Sequence, residues 1–305
     1  MAYCSHCGRA IEENYKICPY CGNKNTNYSE IQIIDTPTFE RAYLDVESKK
    51  KNAIMSILCY ITVMYVINLF IQMILIGIAP KITGVDLYYT DEFGEIIISK
   101  ANEIFINSWT EILVYLTLSI GLIVINLKNL KEDFLDLKKN TKKRLLEIPI
   151  GFGIFYGASV LGSLLMMVLK ISDSPANQNA LEEIVLGKYG FIVLIFIVII
   201  GPICEELIFR QSAFRLFKKG TNQLTKIIIS GVIFGSIHVT SSILIYLLDG
   251  LYSSIPKEFL LGIPYILQGI ALSYVYYRSN ENIIPVTLVH ILNNLLTAIV
   301  LFMPQ

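Results

Sequence analysis

Residues 189–217 read YGFIVLIFIVIIGPICEELIFRQSAFRLF. From Phe191 to Ile200 every side chain is apolar, and the apolar pattern resumes after Glu206 with Leu207, Ile208, Phe209, Phe214, Leu216 and Phe217. About 20 apolar residues cross the hydrocarbon core of a bilayer as a helix. The stretch therefore predicts a membrane span with Glu205, Glu206 and Arg210 inside it. Ionisable groups at that depth are costly and default to a functional reading. The bland alternative ends the span near Cys204 and leaves both glutamates in headgroup water, but the apolar residues that follow argue against it.

The rest of the chain has the same character. It has 305 residues, 54% of them hydrophobic and only 16% charged, with a mean hydropathy of +0.57. A soluble domain carries about 25% charged residues. Further spans are expected at about 53–80, 104–127, 146–169, 224–239, 257–277 and 283–303, with Ile243–Leu251 as an eighth short span or a re-entrant piece. The expected fold class is all-α, a multipass bundle of seven or eight transmembrane helices. The net charge is zero, which gives no reason to expect a nucleic-acid partner. The first fifty residues lack the pattern of a cleavable signal peptide, so insertion into the cell membrane is expected to rest on the internal spans.

Short cytoplasmic loops are enriched in Lys and Arg. Residues 128–144 hold seven basic side chains (Lys128, Lys131, Lys138, Lys139, Lys142, Lys143, Arg144) against three acids, whereas 81–103 holds two lysines against five acids. Lys49–Lys51 precede the first span, and Arg215, Lys218, Lys219 and Lys226 surround the 217–224 connection. This alternation predicts a cytoplasmic N-terminus and an 81–103 loop on the opposite side.

Before the spans, Cys4-Ser5-His6-Cys7 and Cys18-Pro19-Tyr20-Cys21 form two C-x-x-C pairs separated by ten residues. Two such pairs offer four thiolates to one tetrahedral Zn2+, and so short a segment has too little core to fold without a clip. Gly8 and Gly22 follow the pairs, where glycine suits a tight turn. Paired disulfides are the alternative, disfavoured in a cytoplasmic segment. Residues 1–22 resemble the short zinc ribbons of many prokaryotic proteins. A partner protein, metal sensing and simple capping all remain open as the ribbon's role. Residues 23–52 read as a polar linker that keeps the ribbon apart from the membrane helices. Cys59 and Cys204 read as core thiols.

Two of the three histidines lie in apolar spans: His238 after Phe234, and His290 before Asn294. One buried histidine is ordinarily a hydrogen-bonded core residue, but two alongside a glutamate pair shift the balance. Glu206 and Arg210 lie four apart on one helix face, as do His290 and Asn294, whereas Glu205 points about 100° from Glu206. Counted from Lys218 and Lys226, Glu205 and His238 lie ~18–20 Å deep, and counted from Glu281, His290 lies ~14 Å deep. Three helices thus carry polar groups to comparable levels.

This pattern resembles the CPBP family of intramembrane metalloproteases, which includes prenyl-protein endopeptidases acting on CaaX proteins and the Abi proteins of bacteria. The family's E-E-x-x-x-R, F-x-x-x-H and H-x-x-x-N/D motifs match Glu205, Glu206 and Arg210, then Phe234 and His238, then His290 and Asn294. The resemblance covers about 145–303, leaving 53–144 as an N-terminal set of membrane helices outside it. It implies a membrane-embedded endopeptidase for a peptide or protein substrate, with Glu205 as base or ligand and Asn294 supporting the oxyanion. It also implies a divalent metal, zinc first, at Glu205, His238 and His290. Glu206, Arg210 and Phe234 are expected to support them. The rival readings are a non-catalytic immunity or scaffold protein and a transporter with an intramembrane polar path.

Overall fold

The computed structural model describes residues 2–12, 15, 17–24, 36–91, 94–173, 175–218 and 220–303. Among these, seven helices are long and apolar enough to cross a membrane. They are α1 (Val46–Thr83), α2 (Lys100–Lys139), α3 (Thr141–Val168), α5 (Gly190–Leu216), α6 (Gln223–Leu248), α7 (Tyr252–Arg278) and α8 (Ile283–Leu301). The short helix α4 (Ala176–Leu186) lies between α3 and α5. The chain is a multipass membrane protein with an all-α bundle. Its spans expose many large apolar side chains, among them Phe70, Met73, Val124, Met167 and Phe191. In lipid that exterior needs no polar cover.

Short loops make successive spans antiparallel, and polar pairs fix their registers. At the end far from the N-terminal module, Thr83 Oγ1 donates to Asn102 Oδ1 at 2.7 Å, joining α1 to α2. Lower down, Asn126 Nδ2 donates to Ser56 Oγ at 2.8 Å between the same helices. Beside that far end a hairpin pairs β3 (Tyr88–Thr90) with β4 (Ile96–Ile98), Tyr89 opposite Ile97. α2 runs for 40 residues, about 60 Å at 1.5 Å per residue. That is twice what a bilayer core needs, and its surplus carries the lysines of 128–139 toward the N-terminal module.

α6 and α7 approach each other closely. A Cβ on Gly231 would stand 2.4 Å from the backbone N of Ile270, and one on Gly235 2.4 Å from that of Ile266. Between membrane helices, where apolar side chains gain nothing by leaving lipid, small residues four apart let backbones touch. Gly231-x-x-x-Gly235 is such a pair. The contact brings Phe234 and His238, on the same helix, against α7.

Two sequence expectations change. Ile243–Leu251 is not an eighth span: α6 continues through Leu248 and ends at Gly250, whose φ is +73°. Thr240 Oγ1 donates to the Ser236 carbonyl one turn back, so its hydroxyl is satisfied inside the helix. Of the expected linker, residues 25–35 lie outside the described residues. From Thr36 the backbone is helical and runs into α1 without interruption, as the helix-forming Glu, Arg, Ala, Leu and Lys of that stretch favour.

The N-terminal module pairs β1 (Ala2–Tyr3) with β2 (Ala10–Ile11), and Ile17 bridges Lys24. Its two knuckles repeat one geometry. Gly8 N–H donates to the Cys4 carbonyl and Gly22 N–H to the Cys18 carbonyl, each at 2.8 Å, and each glycine has φ +69°. The module is not held apart from the membrane helices. Arg9 forms an ion pair with Glu281 in the α7–α8 turn, and its guanidinium lies 5.0 Å from the Tyr20 ring centroid and 5.8 Å from that of Tyr277. Burial alone would raise the Glu281 carboxyl; the charge and hydrogen bond of Arg9 outweigh it and hold the group below its ordinary range. That turn is itself braced. Arg144 Nη1 donates to the Ser279 carbonyl at 2.7 Å, and Asn282 Nδ2 donates to Asp136 at 2.8 Å.

Candidate active site

The helix carrying the glutamates is irregular on both sides of them. It is π-helical at Phe196–Ile200 and again at Leu207–Ser212, with the α-helical turn Gly201–Glu206 between. Single π turns inside helices recur at functional sites, and here one has a clear cause. Gly201 N–H bonds the Phe196 carbonyl five residues back, and Pro202 has no N–H. The Ile197 carbonyl is thus denied the donors that would ordinarily reach it along its own helix. It accepts from Asn294 Nδ2 of α8 at 3.1 Å instead.

Glu206 is fully buried, as is Arg210. Glu206 Oε1 accepts from Arg210 Nη1 at 2.9 Å and from His290 Nδ1 at 2.8 Å. Arg210 also donates to the Gly269 carbonyl of α7 at 3.2 Å, and its guanidinium lies 4.1 Å from the Phe234 ring centroid. Four helices therefore meet at one ion pair. Because a carboxylate oxygen only accepts, the bond to Glu206 places the His290 proton on Nδ1 and leaves the lone pair on Nε2. That nitrogen stands 3.7 Å from Glu205 Oε2.

His238 Nδ1 lies 2.8 Å from the Phe234 carbonyl, which selects the same tautomer. The His238 ring stacks on Tyr265 of α7, centroids 4.6 Å apart and planes 18° apart. Phe234 stands between the two histidines, 4.7 Å from one ring and 5.8 Å from the other. Glu205, His238, His290 and Asn294 all line one cavity of about 670 Å³. Glu206, Arg210 and Phe209 sit behind its wall.

Residues 187–296 match the family model described as type II CAAX prenyl endopeptidase Rce1-like, and residues 3–25 match the zinc-ribbon domain. The C-terminal membrane region is Rce1-like. An uncharacterized protein of Mycoplasma capricolum subsp. capricolum is 31% identical over 175 residues, 51% of each chain. The chain thus spans about half the length of the curated relative it matches. No solved structure matches. The Rce1-like match takes in all three polar motifs.

The zinc-ribbon match rests on a donor set that fits its ion. Cys4 and Cys21 sulfurs lie 3.7 Å apart and Cys7 and Cys18 sulfurs 3.6 Å apart, with all four within 4.8 Å of one another. A ZnS4 tetrahedron with bonds of about 2.3 Å has sulfur–sulfur edges of ~3.8 Å. The spacing is far too long for disulfides, at about 2.05 Å. Among the described residues this is the one cluster in which three or more metal-ligating side chains converge so closely. Glu205, His238 and His290 line the same cavity without gathering into such a set.

Tyr265, Tyr115 and Gln268 also line the cavity, and no sequence motif singles them out. The Gly231-x-x-x-Gly235 spacing, which seats His238 against Tyr265, is the one sequence signal that points toward that contact.

Proposed function

We propose that the Rce1-like region is a membrane-embedded endopeptidase whose working groups are Glu205, His238, His290 and Asn294. The observation that carries the reading is the approach of Glu205 to the Nε2 of His290, beside a cavity large enough for several residues of an extended peptide. Pockets that bury ligands run to about 300–1,000 Å³.

Glu205 is partly exposed to the cavity, with a side-chain accessibility of 18%, and it is the carboxylate placed to take a proton from a water. That water's oxygen bonds to the scissile carbonyl carbon, and the carbonyl oxygen becomes an oxyanion. Asn294 has two amide N–H groups; one holds the Ile197 carbonyl and the other is available to the oxyanion, a role worth about 10²–10³ in rate where measured. The C–N bond then breaks as Glu205 returns its proton to the leaving nitrogen. His290, with its lone pair on Nε2, orients the water from the opposite side, and His238 does the same from α6. Glu206 and Arg210 fix the tautomer of His290. Glu205, His238 and His290 do not gather into a tight ligand set, and no step here is routed through an ion.

The zinc ribbon is structural in this reading, and residues 145–303 form the catalytic unit, with the ribbon at the cytoplasmic end. Comparison of peptides released from membranes by the wild type and by Glu205→Gln tests the function. The variant should insert and fold normally but release none of the wild-type-specific peptides. Equal release by both would remove the catalytic assignment and favour a scaffold role.

A further inference from the structure

The cavity has a direction. Its wall runs from Glu205 and His290 to Thr297 and Leu301 at the end of α8, to Met166 near the end of α3, and to Asp173, Gln178 and Glu182 at and after the α3–α4 connection. All of these lie toward the end of the bundle opposite the ribbon. Toward the ribbon the site is closed. Phe209 packs edge-on against Phe234 at 5.7 Å and Phe214 against Tyr276 at 5.1 Å, with the buried Glu206–Arg210 pair beside them. The side wall is open too. Tyr156 of α3 and Val300 of α8 both line the cavity, yet are 61% and 63% exposed. α3 and α8 meet at Gly151, whose added Cβ would lie 3.0 Å from Val289, and both border the cavity beyond that point.

The two ends also differ in charge. The ribbon end carries Lys49–Lys51, the seven basic residues of 128–144, and Arg215, Lys218 and Lys226. The far end carries the acid-rich 81–103 loop, with Asp173, Glu182 and Glu183. By the rule that places basic loops in the cytoplasm, the far end is extracytoplasmic.

We infer that the site is loaded from the outer leaflet, through the gap between α3 and α8, and that its substrate class is an exported or membrane-inserted polypeptide. A cytoplasmic protein tail would meet the closed aromatic end. The inference rests on the proteolytic reading for the word substrate, but the entry route can be tested without cleavage.

Single cysteines at Thr297 in the cavity wall, Asp86 in the far loop and Lys131 on the ribbon side are introduced separately into the full chain carrying Cys59→Ala and Cys204→Ala. Cells are treated with a membrane-impermeant maleimide before and after permeabilisation, and labelling is scored against the same background without an added cysteine. Asp86→Cys and Thr297→Cys should label equally in both conditions, and Lys131→Cys only after permeabilisation. Labelling of Thr297→Cys only after permeabilisation, or in neither condition while Asp86→Cys reacts, overturns the entry route. Labelling of Lys131→Cys in place of Asp86→Cys in intact cells overturns the outer-leaflet assignment. Labelling as expected, together with identical peptide release by wild type and Glu205→Gln, would refute the protease and leave the route standing.

Discussion

Replacing Glu206 with glutamine changes one oxygen to an amide nitrogen at a fully buried position. In the wild type a single oxygen, Oε1, accepts from both Arg210 and His290. The glutamine keeps an acceptor of the same shape, so His290 can still be held, but Arg210 loses its counter-ion where there is no solvent to replace it. Breaking a buried pair by removing one partner costs about 3–5 kcal/mol. At about 2–3 °C per kcal/mol for a protein of this size, the expected fall in melting temperature is about 6–15 °C. The assay is thermal unfolding in detergent, followed by a tryptophan or thiol-reactive probe. Adding Arg210→Met removes the orphaned charge and keeps a long apolar stem against Phe234. The double variant should regain much of the loss and retain partial activity, because the glutamine carbonyl then serves His290 alone. If Glu206→Gln melts at the wild-type temperature, or the double variant is no more stable than the single one, the account of the ion pair as the hub of four helices is wrong.

Gly231→Val should destabilise more than Gly153→Val, since an added Cβ at 231 meets the α7 backbone at 2.4 Å while one at 153 meets nothing within 4 Å; melting temperatures of the two compare them directly. Cys4→Ser in the full chain should lower bound zinc from one ion per protein to none, read by elemental analysis, and a metal content unchanged by the substitution would count against the ribbon's ligand set. Glu281 has a lowered carboxyl pKa, so its contribution to ribbon docking is fully present above its ordinary value of about 4.3 and is lost as pH falls through the lowered one. Zinc thiolates also protonate in acid, so the clean comparison is Glu281→Gln at neutral pH, where amide exchange in residues 4–11 should quicken. Unchanged exchange would mean that the Arg9 pair does not hold the ribbon.

The spans are legible in the sequence because lipid makes hydropathy nearly sufficient. The three polar motifs are legible because a charge in an apolar helix is too costly to persist without a site built around it. The continuation of α6 through Leu248 is not legible, because the length of the apolar piece Ile243–Leu251 does not by itself tell a new span from the end of the helix before it. Ribbon docking is illegible because Arg9 and Glu281 are separated by 272 positions, and neither is unusual alone. The tautomers of the histidines are out of reach as well, since each depends on which oxygen its Nδ1 meets, a fact of tertiary geometry.

The missing N–H at Pro202 has a consequence for anyone altering this protein. The helix that carries the glutamates is keyed to α8 by a vacancy in its own ladder, not by a matching surface. Pro202→Ala would preserve every acid, base and amide of the site, yet it would return a donor to Ile197 and set Asn294 adrift. A catalogue of active residues would score that variant as intact. Its function would depend on an atom that proline lacks.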